Sequence, residues 1–368
     1  MPNVNGAPQG RDDPRKKDYA IVVGVARYPE LIRDGKPADL KGSAFDAKKI
    51  YDWLVSDSGG GVPPENIEYV IRAAGRAENE PDPSRDAVAK AFTCMWDRCW
   101  TKDDAPKTPP VGRRLYVYVS GHGLTGDGDH GVLLCSNSSS RSYATVGPHL
   151  SIQDFRKAGF FQEFVVWFDG CMDWTSVASQ PIDYQPPAGN DLNAPGPVFA
   201  AYAAKPRLRT VEVPDQSGQV GGIFTRALLA GLKGDAAENA QIDSKSLEKY
   251  LYNAMPNYLP AALWQDNIIA KQPFIKQADP GIVFHDAATE PDSSIVLNIG
   301  AKYDGAEAQL WGNDPEAAGL KLLGKRTIAK GSITISLPKG FYFVVVPEHS
   351  LRQGFEVIGG GAKLVSEG

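Results

Sequence analysis

The chain has few cysteines, no long hydrophobic run and no excess of positive charge. Its 368 residues include only 4 cysteines, which is too few for a disulfide-stabilised scaffold. No apolar stretch approaches the ~18 residues that a membrane-spanning helix needs. The net charge of −5 gives no electrostatic footprint for nucleic acid or an anionic membrane. We therefore expect a protein of the reducing cytoplasm that binds neither nucleic acid nor membrane.

The first 17 residues are polar and rich in turn formers, without the apolar segment of a signal peptide. We predict that residues 1–17 form a disordered lead-in. The rest has an ordinary globular composition, with 42% hydrophobic and 23% charged residues. A chain of this length can bury the core of one large domain or of two unequal ones.

Between residues 18 and 286, apolar runs typical of buried strands alternate with segments of helical periodicity. Strands are predicted at 19–25, 67–72, 115–120, 164–168 and 198–203, with an edge strand within 273–284. Helices are predicted at 40–55, at 84–100 with Ser84 as cap, at 152–158 opened by Ser151, and at 222–232 and 244–255. This alternation predicts an α/β domain over residues 18–286, with a mainly parallel sheet and helices on both faces.

The pattern changes after about residue 286. From residue 294 onward, short alternating apolar runs are separated by glycine, proline and aspartate turns. We predict a small all-β, sandwich-like domain over residues 292–368. It contains one histidine, His349, and no cysteine, so a structural role is favoured over a catalytic one. A regulatory protein partner that docks on this domain is the alternative.

Two segments that follow predicted strands contain a histidine and a cysteine, Tyr118-Val-Ser-Gly-His-Gly123 and Trp167-Phe-Asp-Gly-Cys171. Neighbouring parallel strands end at the same edge of a sheet, so we expect His122 and Cys171 to lie close together. A cysteine nucleophile needs a base to form its thiolate, and a histidine supplies one and can later protonate a leaving amine. These residue types therefore favour covalent catalysis by a thiol.

A single cysteine or histidine is more often a buried structural residue than a catalytic one. Cys94, Cys99 and Cys135 lack a strand-end glycine setting, and we interpret them as structural. Cys94 and Cys99 share a helix face poorly, which argues against a metal site there. Only the joint occurrence of His122 and Cys171 favours function.

The two motifs, with Val23-Gly-Val-Ala-Arg-Tyr28 before them and residues 222–232 after them, resemble caspase-like cysteine peptidases of the metacaspase and orthocaspase branch. The resemblance covers about residues 18 to 285, and the histidine also lies about 50 residues before the cysteine, as in caspases. It implies a caspase–haemoglobinase fold. It also implies His122 as general base and acid, Cys171 as the nucleophile that forms a thioester, and the backbone N–H groups of Gly123 and Cys171 as the oxyanion hole.

The same resemblance implies a substrate preference. In metacaspases, acidic residues line the primary pocket and select arginine or lysine before the scissile bond, and the matching positions are Asp46 and Asp169. Ser43 and Ser120 match the pocket's small polar positions. Two converging carboxylates repel each other, and a guanidinium or ammonium group relieves that repulsion. The expected substrate is a protein or peptide with a basic residue before the cleaved bond.

The chain departs from the family pattern in two places. The usual Cys-His-Ser-Gly is replaced by Cys171-Met-Asp-Trp174. Asp173 disfavours the thiolate if it points at Cys171, and could bind a basic substrate residue if it points outward. The family's calcium-binding acids are not matched, because Asp127 and Asp129 form only a loose cluster, more typical of a solvated turn. We predict that the protein needs no calcium and has no metal cofactor.

Self-processing is restricted by the positions of basic residues. Residues 172–204 contain no lysine or arginine, so an enzyme specific for basic residues could not cut itself there. Lys205, Arg207 and Arg209 are the earliest targets, so the chain either works uncut or is clipped near them. Two alternatives to a peptidase stay open. One is a catalytically silent caspase-like scaffold, favoured by the altered 171–174 segment, and the other is an acyltransferase or transpeptidase that uses the same dyad.

Overall fold

The apolar runs of the first 286 residues form buried strands, as their composition predicts. The computed structural model describes residues 13–71, 83–174, 182, 184, 196–215, 218–238, 241–277, 281–286, 293–313, 320–337, 340–358 and 361–365. The chain divides into two compact units, the first ending at Asp286 and the second comprising residues 287–368. None of the helices in the described ranges is both long enough and apolar enough to cross a bilayer.

The first unit contains short and long strands in alternation with helices. Its strands are β1 (Asp18–Gly24), β2 (Ile32–Arg33), β3 (Lys36–Pro37), β4 (Ile67–Ile71), β5 (Gly112–Ser120), β6 (Gly123–Thr125), β7 (Gly131–Leu134), β8 (Thr145–Val146), β9 (Phe161–Asp169), β10 (Asp173–Trp174), β11 (Val198–Tyr202), β12 (Glu212–Pro214), β13 (Val220–Gly222), β14 (Gln241–Asp243), β15 (Phe274–Gln277) and β16 (Val283–Asp286). Its α-helices are α1 (Ser43–Val55), α2 (Arg85–Asp97), α3 (Pro148–Ser151), α4 (Gln153–Lys157), α5 (Ile223–Ala230) and α6 (Ser244–Ala254).

Six of these strands form the central sheet, in the order β15-β11-β9-β5-β1-β4. All neighbours are parallel except β15, which pairs antiparallel with β11 at one edge. A second sheet, β10-β6-β7-β8, continues from the ends of β5 and β9. The predicted mainly parallel α/β architecture and the edge strand are therefore confirmed.

Helices cover both faces of the central sheet because its strands are apolar on both sides. One face contributes Ile21, Val117 and Val166 to a buried cluster. That cluster also contains Val88, Phe92 and Met95 of α2 and Phe155 of α4. On the opposite face, Trp53 of α1 packs edge-on against Tyr116 and Trp167. Burial on both sides explains why the strands read as continuous hydrophobic runs.

Two local predictions about capping have different outcomes. The Ser84 side chain accepts a hydrogen bond from the Ala87 N–H at 3.3 Å, so its role as cap of α2 is confirmed. The predicted helix at 152–158 is present as α4, but the prediction that Ser151 opens it is wrong. Ser151 is the last residue of α3, and its hydroxyl donates back to the Gly147 carbonyl at 2.9 Å, as serine does inside a helix.

The predicted disorder of residues 1–17 is wrong where the structure can be described. Residues Pro14–Lys17 form a 3₁₀ turn, and the side chain of Asp13 caps it by accepting from the Arg15 N–H. Proline at the first position of this turn has the φ angle that the turn requires. Residues 1–12 lie outside the described residues.

The second unit is all-β, as predicted. Its strands are β17 (Ser293–Asn298), β18 (Glu307–Asn313), β19 (Leu320–Thr327), β20 (Ser332–Leu337), β21 (Gly340–Val346), β22 (Leu351–Ile358) and β23 (Gly361–Val365). They form a two-stranded sheet, β17-β20, and a five-stranded sheet, β19-β18-β21-β22-β23. Leu297 and Ile335 from the first sheet share a core with Val344 and Phe355 from the second. The short apolar runs of the sequence at 295–299, 308–311, 332–337 and 340–346 correspond to β17, β18, β20 and β21, whereas β19, β22 and β23 were not predicted.

Candidate functional site

His122 and Cys171 lie in register beyond the ends of two neighbouring strands. Ser120, the last residue of β5, pairs with Asp169, the last residue of β9. Beyond the two motifs the same chain segments pair again, with Leu124 of β6 opposite Asp173 of β10. Residues 120–124 and 169–173 are segments of equal length that pair at both of their ends. Residues 122 and 171 therefore occupy equivalent positions on these adjacent segments.

Glycines allow the two segments to approach closely. A Cβ atom on Gly123 would lie 2.4 Å from the Cys171 carbonyl oxygen, and one on Gly170 would lie 2.7 Å from the Gly121 carbonyl oxygen. Any other residue would force these backbones apart. The backbone of Gly123 therefore lies directly against that of Cys171, the two residues predicted to supply the oxyanion-hole N–H groups.

The imidazole of His122 is held by backbone and ring contacts. Its Nε2 lies 2.6 Å from the Ala38 carbonyl oxygen, which can only accept, so Nε2 carries the proton and Nδ1 is the unprotonated nitrogen. The His122 backbone N–H donates to the Tyr28 hydroxyl at 2.8 Å, and the two rings are 4.7 Å apart. Burial lowers the pKa of His122 to about 4. The imidazole is thus neutral near pH 7, and burial makes it a weaker base than an imidazole whose pKa lies near the operating pH.

The Cys171 thiol donates a hydrogen bond to the Thr210 carbonyl oxygen, with 3.6 Å between sulfur and oxygen. Burial raises the pKa of Cys171 to about 11, so the thiol is protonated in this resting arrangement. The other thiols differ in setting, because Cys99 and Cys135 are fully buried and Cys94 is half-buried on α2. All four cysteines are free.

A buried group of acids lies at the same edge of the sheet. Asp46 is in the first turn of α1 and Asp169 ends β9, with Ser43 and Ser120 also buried there. Asp46 Oδ2 accepts from the Gly222 N–H at 2.7 Å, and Asp169 Oδ2 accepts from the Thr225 hydroxyl at 2.5 Å. Asp46 Oδ1 is buried and has no hydrogen-bond partner in the described part of the chain.

Strand β13 packs onto these carboxylates through glycines. A Cβ atom on Gly222 would lie 2.2 Å from Asp169 Oδ2, and one on Gly221 would lie 2.7 Å from Asp46 Oδ1. The two glycines therefore allow the backbone to cover the acids without a side chain that would fill the space beside them.

Glu212 is a third acid at this site, and the sequence analysis missed it. Its Oε1 accepts from the Gly42 N–H at 2.9 Å and lies 3.3 Å from the Ser43 hydroxyl, while its Oε2 accepts from the Lys41 N–H at 2.8 Å. Burial, followed by the charges of neighbouring carboxylates including Glu212, raises the pKa of Asp46 and of Asp169. Glu212 lies in the short strand β12, far along the chain from α1, so no local sequence pattern indicated that it joins this group.

Asp173 does not join the acidic group. Both of its carboxylate oxygens lie 2.9 Å from Nε of Arg209, so these two residues form an ion pair. We call residues 205–210, which contain the three predicted self-cleavage positions, the strap. Its Arg207 N–H donates to the Met172 carbonyl at 2.7 Å, and the Lys205 carbonyl accepts from the Leu208 N–H at 3.0 Å. The strap is therefore bonded to the residue after the candidate nucleophile.

The loop that contains Asp127 and Asp129 is a short 3₁₀ turn with Gly128 at φ 72°. Searched over the described ranges, the structure brings together no three histidine, cysteine or acidic residues that could hold a metal ion. Asp129 lies in the left-handed region at φ 58°, a conformation that aspartate tolerates in turns.

No family model matches the chain. A probable protease from a Desulfuromonadales bacterium is 27% identical over 243 residues, covering 64% of this chain and 28% of that protein. Caspase-1 from Spodoptera frugiperda has a TM-score of 0.43 at 14% identity, over 78% of this chain and 100% of that one. A Geobacter sulfurreducens protein of known structure has a TM-score of 0.41 at 12% identity, over 71% and 93% of the two chains. The chain is thus similar in sequence to part of a longer probable protease and, more loosely in structure, to a caspase.

Proposed function

We propose that the protein is a cysteine endopeptidase of the caspase type that cleaves proteins after arginine or lysine. The observation that carries this proposal is the buried Asp46 Oδ1, which has no hydrogen-bond partner among the described residues, beside Asp169 and Glu212. Buried carboxylates in proteins are normally paired. Within the described residues, none of these three acids forms an ion pair with lysine or arginine. The charge of Lys49 acts on Asp46 without forming an ion pair with it, so a cationic side chain from a substrate would supply the direct partner that these acids lack in the described part of the chain.

The proposed reaction uses the two residues at the ends of β5 and β9. The sulfur of Cys171 attacks the carbonyl carbon of the scissile peptide, and Nδ1 of His122 accepts the thiol proton. The N–H groups of Gly123 and Cys171 stabilise the oxyanion. His122 then protonates the leaving amine as the C–N bond breaks, and water hydrolyses the thioester. In this scheme the Ala38 carbonyl stabilises the imidazolium through Nε2–H.

The acidic group would select the residue before the cleaved bond. A guanidinium group can donate to two carboxylates at once with fixed geometry, whereas an ammonium group acts as a point charge. We therefore expect arginine to be preferred over lysine, with both cleaved. An aspartate in the same position would meet three carboxylates and be excluded.

The test is turnover of matched fluorogenic peptides that end in arginine, lysine or aspartate. We expect cleavage of the first two only, and a loss of at least about 10³-fold in kcat/KM for Cys171→Ala, as for other covalent nucleophiles. Cys94→Ala, a half-buried thiol on α2, is the matched control and should retain activity. Cleavage after aspartate alone, or activity that survives Cys171→Ala, would refute the proposal.

A silent scaffold is the second candidate, because the thiol bonds to Thr210 rather than standing free. Binding of an arginine peptide without turnover of any peptide would favour it. An acyltransferase would instead show product formation that depends on an added amine.

We also propose that the enzyme needs no calcium, since residues 131–140 contain no carboxylate to ligate it. Activity in excess chelator tests this, and its loss would contradict it. A cytoplasmic site of action and a regulatory partner for the second unit are proposals of the same kind. They rest on the free thiols and on the separate all-β unit.

A further inference from the structure

Residues 171 to 173 are each bonded to the strap. The Cys171 thiol donates to the Thr210 carbonyl, and the Met172 N–H donates to the Leu208 carbonyl at 2.9 Å. The Asp173 carboxylate accepts from Arg209 through both oxygens. Hence the candidate nucleophile, the residue after it and the following acid all contact residues 208–210 of the strap, the first two through its backbone and the acid through the Arg209 side chain.

The position of Arg209 is fixed independently of Asp173. Its N–H donates to the Ile268 carbonyl at 2.8 Å, and its carbonyl accepts from the Ala270 N–H at 2.7 Å. Asp173 is fixed on the other side, because β10 pairs with β6. The guanidinium is therefore held against the carboxylate by two ordered backbones, which reduces the entropy cost of the ion pair.

We propose that Arg209 is a positioning residue that acts through Asp173, because its guanidinium offsets the carboxylate charge that lies two residues from the Cys171 sulfur. This inference rests on Cys171 being the reactive thiol of the proposed function. It explains how the chain keeps an acid in the Cys171-Met-Asp-Trp174 segment: the acid faces a cation of the strap, so the cost it imposes on a thiolate is offset. It also gives Asp173 and Arg209 a joint role that is neither substrate binding nor self-cleavage.

The charged groups around the thiol come from three elements. Asp173 on β10 disfavours its ionisation, whereas Arg209 on the strap and Arg33 on β2 favour it. While Asp173 and Arg209 are both present, their opposite effects on the ionisation of Cys171 oppose each other. Removing one partner should therefore move the reactivity of Cys171 in one direction, and removing the other should move it in the opposite direction.

The test is the rate of Cys171 alkylation by iodoacetamide between pH 7 and 12, a range that includes the raised pKa of the thiol, followed by peptide mass spectrometry. We expect Asp173→Asn to lower the pH midpoint of the Cys171 alkylation profile and Arg209→Gln to raise it, each by about 0.5 to 1 pH unit. At pH 7 the corresponding rates rise and fall by about three- to tenfold. The double variant should return to within about twofold of the wild type, since both charges are gone.

Two controls separate charge from local disorder. Arg209→Lys keeps the cation and should stay close to the wild-type midpoint, and Lys205→Gln on the same strap should leave the midpoint unchanged. If both single variants shift in the same direction, the pair acts only through the mobility of the strap and the proposal is wrong. No shift in either variant would also overturn it. Alkylation needs no peptide turnover, so this result stands apart from any failure to find a peptidase substrate.

Discussion

The two ends of the central sheet bury charge in opposite ways. At the amino-terminal end, Asp18 is fully buried and forms an ion pair with Arg113. Nearby, the buried Arg114 donates through Nε to Glu163 at 2.8 Å and through Nη1 to the Tyr116 hydroxyl at 2.7 Å. At the carboxyl end, by contrast, the acidic group of Asp46, Asp169 and Glu212 receives only N–H and hydroxyl donors within the described residues.

Under the proposed function, the difference separates buried charges that support the fold from those that would bind a substrate cation. At the amino-terminal end each acid has an arginine supplied by the chain, so its charge is balanced when the protein folds. At the carboxyl end the like charges remain near one another, and the charge of Lys49 only partly offsets them at Asp46. Burial raises the pKa of Asp46 and Asp169 and also that of Asp18 at the other end, so the two ends differ in the hydrogen-bonded partners of their acids rather than in the direction of the shift. A site that is costly when empty and relieved by a cation is better suited to binding than to stability.

The largest effect on stability is expected from removing a buried arginine at the amino-terminal end of the central sheet. Arg114→Ala leaves Glu163 without its cation and removes a fully buried side chain, so the free energy of unfolding should fall by about 3 to 5 kcal/mol. Urea denaturation of the Cys171→Ala protein measures this without self-digestion. Arg98→Ala breaks the half-exposed pair with Glu68 and should cost at most about 1 kcal/mol. If Arg114→Ala and Arg98→Ala lost the same free energy of unfolding, the buried ion pair would support the fold no more than the half-exposed one.

Removing charge at the unbalanced end should affect substrate binding instead. Asp46→Asn keeps an acceptor for the Gly222 N–H but removes the charge to which the proposed function assigns binding of the substrate cation. We expect kcat/KM on arginine peptides to fall by about 30- to 700-fold, equivalent to about 2 to 4 kcal/mol for a buried charge partner. Asp52→Asn, an exposed acid on the same helix, is the control. A change below threefold would exclude Asp46 from the pocket.

The pH dependence of KM should also distinguish the acids at the carboxyl end of the sheet. Because the pKa values of Asp46 and Asp169 are raised, their carboxylates become protonated at a higher pH than ordinary carboxyl groups. A substrate cation binds the ionised form, so KM for arginine peptides should rise by about tenfold as the pH falls from 8 to 5.5. Measuring KM separately from kcat isolates binding from the titration of His122. A KM that is constant with pH would show that the acids do not titrate in this range.

The smallest effect is a gain in stability. A carboxyl group with a raised pKa in the folded state stabilises the fold when protonated and loses that contribution as the pH rises through the raised value. Asp46→Asn removes this loss, so its free energy of unfolding at pH 8 should exceed that of the wild type by about 1 kcal/mol. The gain should shrink at pH 5. Destabilisation at pH 8 would show that the Asp46 carboxylate supports the fold.

The elements that place the candidate site were predictable because their signals are local. The β-branched runs before the two motifs gave strands β5 and β9, since burial on both faces requires continuous apolar sequence. Parallel pairing then placed His122 and Cys171 side by side beyond the strand ends. Asp46 and Asp169 were identified by family resemblance, and the structure places both in one buried acidic group.

Other parts of the site had no sequence signature. Ala38 and Thr210 act through backbone carbonyls, which every residue has, so nothing in their side chains marks them. Glu212 reaches the acidic group from a short strand after the strap, and its contacts are with the amino-terminal end of α1. The two possible orientations of Asp173 were equally compatible with the sequence, and only the ordered position of Arg209 distinguishes them.

The sequence by itself determined which segments become strands, where they end and that a histidine and a cysteine occupy equivalent backbone positions on adjacent segments beyond those ends. These properties follow from periodicity and steric freedom over a few residues. The tertiary structure decided which buried charges are balanced. Asp18 pairs with Arg113 and Asp173 pairs with Arg209 of the strap, whereas one carboxylate oxygen of Asp46 has no hydrogen-bond partner in the part of the chain that the structure describes. Charge compensation is decided by residues that folding brings together from distant positions, so it cannot be inferred from any local pattern.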